Sequence, residues 1–186
     1  MMKKIIVLVM MCFGMAQAAS ANDFKPYVGA GLGFAMFDIG KSVTGAGTSN
    51  ALAGFGSLGF DYGDYVGAEI RFGTTANAKV SVGGLNYEGG VDSFFTYLAK
   101  LQFPVSEQLN IYALAGGTSA SMSATITTPG WIFASTGTNK VSWNATSGSF
   151  GGGLDFKTSD HFNIGIEYLR YASDISGVTA NIKYRF

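Results

Sequence analysis

Residues 65–73 read Tyr65-Val66-Gly67-Ala68-Glu69-Ile70-Arg71-Phe72-Gly73. Successive side chains of an extended chain point to opposite sides. Val66, Ala68, Ile70 and Phe72 therefore share one face, and Gly67, Glu69, Arg71 and Gly73 share the other. The period is 2, not 3.6. The alternation recurs at both ends of the chain. Val28, Ala30, Leu32, Phe34 and Met36 alternate with Tyr27, Gly29, Gly31, Gly33 and Ala35, and Ala180, Ile182, Tyr184 and Phe186 alternate with Thr179, Asn181, Lys183 and Arg185. Each is a strand with one apolar face and one small, polar or charged face.

Working outward from these, eight stretches read as strands: about 25–37, 51–61, 65–75, 91–103, 111–124, 143–156, 162–171 and 177–186. Their connections alternate in length. The short ones are 61–64, 104–110 and 157–161; the long ones are about 38–50, 76–90 and 125–142, with a shorter fourth at 172–176. Short turns at one end and longer loops at the other describe an antiparallel up-and-down transmembrane β-barrel of the bacterial outer membrane. About 9–11 residues per tilted strand suffice to cross a bilayer, and closure leaves no unpaired edge in lipid.

Cost decides which face meets lipid. A Lys or Arg on the lipid face near the midplane costs about 2–4 kcal/mol. Glu69, Arg71, Lys100, Asp155, Glu167, Lys183 and Arg185 fall on the face opposite the large apolar residues, so that face points inward and these seven form a candidate lumen charge network. A soluble ligand-carrying barrel would be patterned the other way. Phe55, Phe94 and Leu98 break the rule by landing inside, and Arg170 by landing outside near a loop. Eight strands leave an interior just wide enough for side chains, so a wide channel is not expected whether the charges pair or are separately hydrated.

Composition agrees. The chain has 186 residues, with 27 glycines, about twice the usual share. Twelve basic against twelve acidic residues exclude nucleic-acid binding through bulk charge. One cysteine, Cys12, cannot form an intrachain disulfide or a cysteine zinc site. Residues 1–21 read as a secretory signal peptide: Lys3 and Lys4, an apolar run from Ile5, then small residues that permit cleavage after Ala18 or Ala21. Cys12 leaves with it, and residues 22–186 are the barrel domain.

Aromatic residues bracket the short turns: Phe60, Tyr62 and Tyr65, Phe103 and Tyr112, Phe156 and Phe162, then Tyr184 and Phe186. They are expected to form the girdle at the membrane–water boundary. The segments 54–73 (GFGSLGFDYGDYVGAEIRFG), 166–171 (IEYLRY) and 180–186 (ANIKYRF) resemble small eight-stranded outer-membrane proteins, the OmpA-like and OmpX-like barrels and the opacity-type surface proteins. The resemblance covers essentially the whole mature chain. It implies that Tyr184 and Phe186 belong to a C-terminal signal read by the barrel assembly machinery. It also implies outer-membrane lipid and lipopolysaccharide as surroundings. The chain is expected to lack the periplasmic peptidoglycan-binding domain that follows the barrel in full OmpA-type proteins.

Gly54, Gly56 and Gly59 match G-x-G-x-x-G, but a dinucleotide site needs a helix to begin there, and a turn and a strand follow instead. No cofactor or metal is expected. His161 is the only histidine, so any Ser-His-acid chemistry must use it. Some eight-stranded barrels modify lipid A with such a histidine near the outer leaflet, whereas His161 lies in a short turn beside Ser159 and Asp160, at the opposite end. The leading expectation is therefore a non-enzymatic structural or surface-interaction barrel whose loops meet an extracellular ligand. A small low-conductance channel is the alternative, and a lipid A-modifying enzyme the third. Trp131, Ile132 and Phe133 are either a loop contact surface or part of an upper aromatic girdle; Trp143 is assigned to that girdle.

Overall fold

The computed structural model describes residues 23–38, 48–82, 85–128 and 137–186. The signal segment 1–21 and the candidate contact residues Trp131, Ile132 and Phe133 lie outside them. Nine strand segments are present among the described residues: β1 (Phe24–Asp38), β2 (Thr48–Tyr62), β3 (Val66–Thr75), β4 (Ala78–Val82), β5 (Leu85–Pro104), β6 (Leu109–Thr128), β7 (Gly137–Lys157), β8 (Phe162–Ala172) and β9 (Ile175–Arg185).

They form one antiparallel sheet closed on itself. β1 pairs with both β2 and β9, and the ring is completed where β3 pairs with β5. β3 lies along the Phe94–Leu101 part of β5 and β4 along Leu85–Gly89, with Ala76 and Asn77 between. β3 and β4 are thus one interrupted stave, and the barrel has eight.

Two of the long connections expected at 76–90 and 125–142 are largely strand. β5, β6 and β7 run 20, 20 and 21 residues, about twice what a bilayer crossing requires. Their outer parts are rich in Gly, Ser, Thr and Asn and carry no lipid-facing apolar row, because outside the membrane a strand needs none. From Gly137 to Ser149, β7 pairs with β6 alone, since β8 joins it only from Phe150. A sheet of β4 to β7 therefore stands beyond the barrel rim at the loop end.

The lipid belt is apolar and exposed, with Leu32, Phe34, Phe72, Leu101 and Ile166 on it. Phe55 is in phase with the buried Ser57, and Phe94 and Leu98 with the buried Thr96 and Lys100, so regular alternation itself puts these apolar residues inside. Two bulges adjust the strands near the loop end. Val91 and Phe94, three apart, would face opposite sides of a regular strand. The register shift between Val91 and Ser93 turns both inward. The second shift lies between Arg170 and Ala172. There the Arg170 guanidinium donates to the carbonyls of Ala172 (3.2 Å) and Ser173 (2.6 Å), holding the tight connection to β9. At the opposite end Gly63 has φ 61°, a left-handed conformation that glycine adopts without strain, and it makes the turn from β2 to β3.

Candidate functional site

The interior is stratified. Lowest, near the turn end, Lys183 donates to both oxygens of Asp155 at 3.0 and 2.8 Å. Asp61 lies 2.5 Å from Lys100 Nζ and 2.8 Å from an Arg185 Nη. Neither contact of Asp61 has the alignment of a hydrogen bond, and we read both as ion pairs because distance and charge suffice for that. Above them Arg71 clamps two carboxylates: Nε donates to Glu69 at 2.5 Å, and its two terminal nitrogens donate to the two oxygens of Glu167 at 2.5 and 2.7 Å. A bidentate guanidinium–carboxylate pair is among the strongest polar contacts available. Tyr27 and Tyr112 complete the acceptors, donating to Glu69 (2.7 Å) and Glu167 (3.0 Å).

The seven charged residues of the candidate network all line this interior, and the eighth member is Asp61, 1% exposed. Its position at the head of the turn motif 61–64 reads as a turn aspartate, which is why the sequence hides it. With it, four acids face four bases and the network carries no net charge. Tyr112 corrects an expectation. Placed in the girdle because it follows a short turn, it is 2% exposed and sits inside the barrel. Its neighbours Ala113 and Ala115 take the lipid face, so on β6 size does not follow the usual alternation. Room for the two tyrosines comes from glycine. A Cβ on Gly59 would lie 2.5 Å from the Tyr27 ring, and one on Gly153 would lie 2.7 Å from the Tyr112 hydroxyl. Gly59, the last glycine of the G-x-G-x-x-G match, thus serves packing within β2.

Over the charges, Leu98, Leu114 and Leu169 form an apolar layer. Thr96, Thr118 and Ser149 link into a hydroxyl chain with 2.8 Å steps. Phe55, Val91 and Phe94, with Phe37, Met122 and Tyr171 packed on them, close the top. The space left is a vestibule of about 430 Å³ open at the turn end, lined by Asn110, Asp155, Asn163 and Arg185 among others, and a cavity of about 60 Å³ under the loop end. Asn163 is buried beside the vestibule with a side-chain oxygen that no protein group satisfies, an arrangement suited to water.

On β6 and β7 the two faces exchange character. Outward residues pass from Ile111, Leu154 and Phe150 to Ser119, Ser121, Thr146 and Asn144. Inward residues pass from Tyr112, Asp155 and Ser149 to Ala120, Met122, Trp143 and Val141. This level marks the edge of the lipid belt. Trp143 is therefore not in a lipid-facing girdle: it stands opposite Met122, which packs into the interior cluster, and cross-strand partners share a face.

Ser159, Asp160 and His161 each serve the turn they occupy. Ser159 Oγ accepts from the Phe162 amide, and His161 Nδ1 lies 3.0 Å from the Arg185 carbonyl while its ring stacks on Tyr184. A hydrogen bond from Lys157 holds the Asp160 carboxyl below its ordinary range. Tyr184 and Phe186 meet edge to face at 5.3 Å on the outside of the same end.

No curated protein sequence matches the chain. Solved structures do. Ail of Yersinia pestis has a TM-score of 0.55 at 17% identity, covering 88% of this chain and 99% of Ail. A second Ail structure, in complex with the heparin analogue sucrose octasulfate, gives 0.55 at 16% over the same shares. The N-terminal β-barrel domain of Pseudomonas aeruginosa OprF gives 0.54 at 15%, covering 87% and 97%. At such identities the likeness concerns the fold. The family model for the outer membrane protein β-barrel domain matches residues 5–186, and the chain belongs to that family.

Proposed function

We propose that the protein is a non-catalytic outer-membrane scaffold, exported by a cleaved signal peptide, whose interior is closed to solutes and whose β4–β7 sheet presents a surface to extracellular partners. β1 begins and β9 ends at the turn end, and we read that end as periplasmic and the loop end as extracellular. The observation that carries the reading is the excess length of β5, β6 and β7. A barrel that only spanned the membrane would have no use for it. The binding of sucrose octasulfate by Ail does not carry over. Lys140 stands exposed on β7, and Arg170 is engaged with carbonyls near the tight connection to β9. Among the described residues the loop end has no cationic cluster for a polyanion, and a neutral or mixed surface of the partner fits better.

Removal of 123–128 together with 137–142 shortens the protruding hairpin in register, since Ser123 pairs with Ser142 and Thr128 with Gly137. Cells displaying the intact protein are expected to adhere to epithelial monolayers or matrix above vector controls, and cells with the shortened protein are not. Undiminished adhesion by a shortened barrel that still folds, or none by the intact one, overturns the reading.

A further inference from the structure

A groove of about 440 Å³ crosses the outer surface of β3, β5, β6 and β7 at the level where the lipid belt ends. Its lower wall is aromatic. Phe72 and Phe95 lie with ring centroids 4.8 Å apart, and Tyr97 lies 6.5 Å beyond Phe95. Tyr97, just outside the groove, lies across to the next strand over its partner Gly117, where a Cβ would come within 2.5 Å of its hydroxyl. The upper wall is a ladder of neutral hydrogen-bonding groups. Ser119 and Thr146 are bonded at 2.9 Å, and Ser121 donates to Asn144 at 2.8 Å, with Ser93 alongside. These bonds hold the side chains in place while leaving further donor and acceptor positions on the hydroxyls and the amide.

None of the residues lining the groove is charged. The nearest charge along β5 is Asp92, at the bulge, which accepts from Ser123 at 2.9 Å. A phosphate would find no cation in the groove and a carboxylate at its edge. A ligand for this site must place hydrocarbon against Phe72 and Phe95 and neutral hydroxyl groups against the ladder one step higher. A glycolipid at the membrane boundary has that profile. We propose that the groove holds the neutral sugar headgroup of a glycolipid in the leaflet at the loop end, its acyl chain descending over the aromatic wall. The inference is independent of any extracellular partner, and it rests on the position of the groove at the edge of the belt.

The test uses the full mature chain in nanodiscs of phosphatidylcholine, with thermal unfolding followed by gel mobility. Three additions are compared: lipid A, lipid A stripped of both phosphates, and phosphatidylglycerol. A ligand that binds only the folded barrel raises its midpoint, here by about 4 °C for either form of lipid A. Phosphatidylglycerol is expected to give no comparable rise. Ser121→Ala with Asn144→Ala should abolish the increment and leave the midpoint in plain phosphatidylcholine nearly unchanged, while Lys140→Met should keep it. If that pair folds poorly, Ser93→Val with Thr146→Val supplies the same comparison. A rise that requires the phosphates, an equal rise with phosphatidylglycerol, or an increment retained in the folded variants overturns the proposal.

Discussion

Lys100 and Lys183 approach the same two aromatic rings inside the barrel. Lys100 Nζ lies 4.7 Å from the Tyr27 centroid and 5.9 Å from that of Tyr112; Lys183 Nζ lies 5.8 and 4.6 Å from them in turn. Two like charges at such close quarters are tolerable because each faces its own aspartate, Asp61 or Asp155, and because ring faces attract cations. Removing one member of a fully buried pair costs about 3–5 kcal/mol, since the other charge is left uncompensated. Lys183→Met should therefore destabilise the barrel by that order in urea unfolding from lipid vesicles. Adding Asp155→Leu should restore most of the loss, and the exposed change Lys140→Met should stay within about 0.5 kcal/mol. Equal effects at Lys183 and Lys140 would show that the interior charges are merely hydrated.

The stacked layers above that network bear on permeation. Arg71, Tyr112 and Leu169 are all but inaccessible, and the vestibule below them is a dead end. Purified protein in planar bilayers is expected to give no steady porin-sized conductance steps. Stable nanosiemens steps would instead establish the channel reading.

Gly153 supplies a sharper test of the tyrosine layer. A methyl group there would meet the Ile166 carbonyl at 2.5 Å as well as the Tyr112 hydroxyl, and backbone does not yield as a side-chain tip does. Gly153→Ala should cost about 1–3 kcal/mol through overpacking, and Gly153→Ala in a Tyr112→Phe background distinctly less. An unchanged urea midpoint for Gly153→Ala would refute the close packing.

Much of this molecule is legible in its sequence because lipid enforces alternation. Glu69 and Arg71 are adjacent odd positions between Ala68, Ile70 and Phe72, and only one orientation keeps them out of hydrocarbon. Legibility fails where that pressure is absent. The outermost residues of β5, β6 and β7, at 85–90, 125–128 and 137–142, read as loops because polar, glycine-rich strands in water carry no lipid-facing apolar row. Asp61 and Tyr112 were obscured for another reason: turn chemistry and girdle chemistry use the same residue types as a packed interior. The bulge at Asp92 has no local signal beyond Val91 and Phe94 standing out of phase.

Trp143 tests where the membrane ends. Its placement opposite Met122 on the inner face of the protruding sheet, with the side chain 45% exposed, puts the indole in water. In a Trp131→Phe background, Trp143 fluorescence should be quenched by acrylamide and hardly affected by brominated lipids. Strong quenching by the brominated lipids would return Trp143 to the girdle and lower the sheet into the bilayer.

Phe186 separates stability from assembly. Its amide donates to the Pro26 carbonyl at 3.2 Å, closing the seam between β9 and β1, and its ring meets Tyr184, which in turn contacts Phe162 and His161. The ring remains 39% exposed on the lipid side, so deleting the residue removes only part of the roughly 1.5–3 kcal/mol that full burial of such a side chain supplies. That loss is modest for a closed sheet. Open strand edges before insertion are a different hazard, because an unpaired edge templates aggregation. A terminal aromatic on the last strand, with Tyr184 two residues before it on the same face, is what we propose the assembly machinery reads. Deletion of Phe186 should then cut the outer-membrane yield in cells severalfold while refolding from urea into detergent stays near normal. Tyr184→Ala should act in the same direction. If yield in cells is nearly normal after the deletion, or if refolding fails to the same degree as yield, the residue acts through the seam alone and the signal reading is lost.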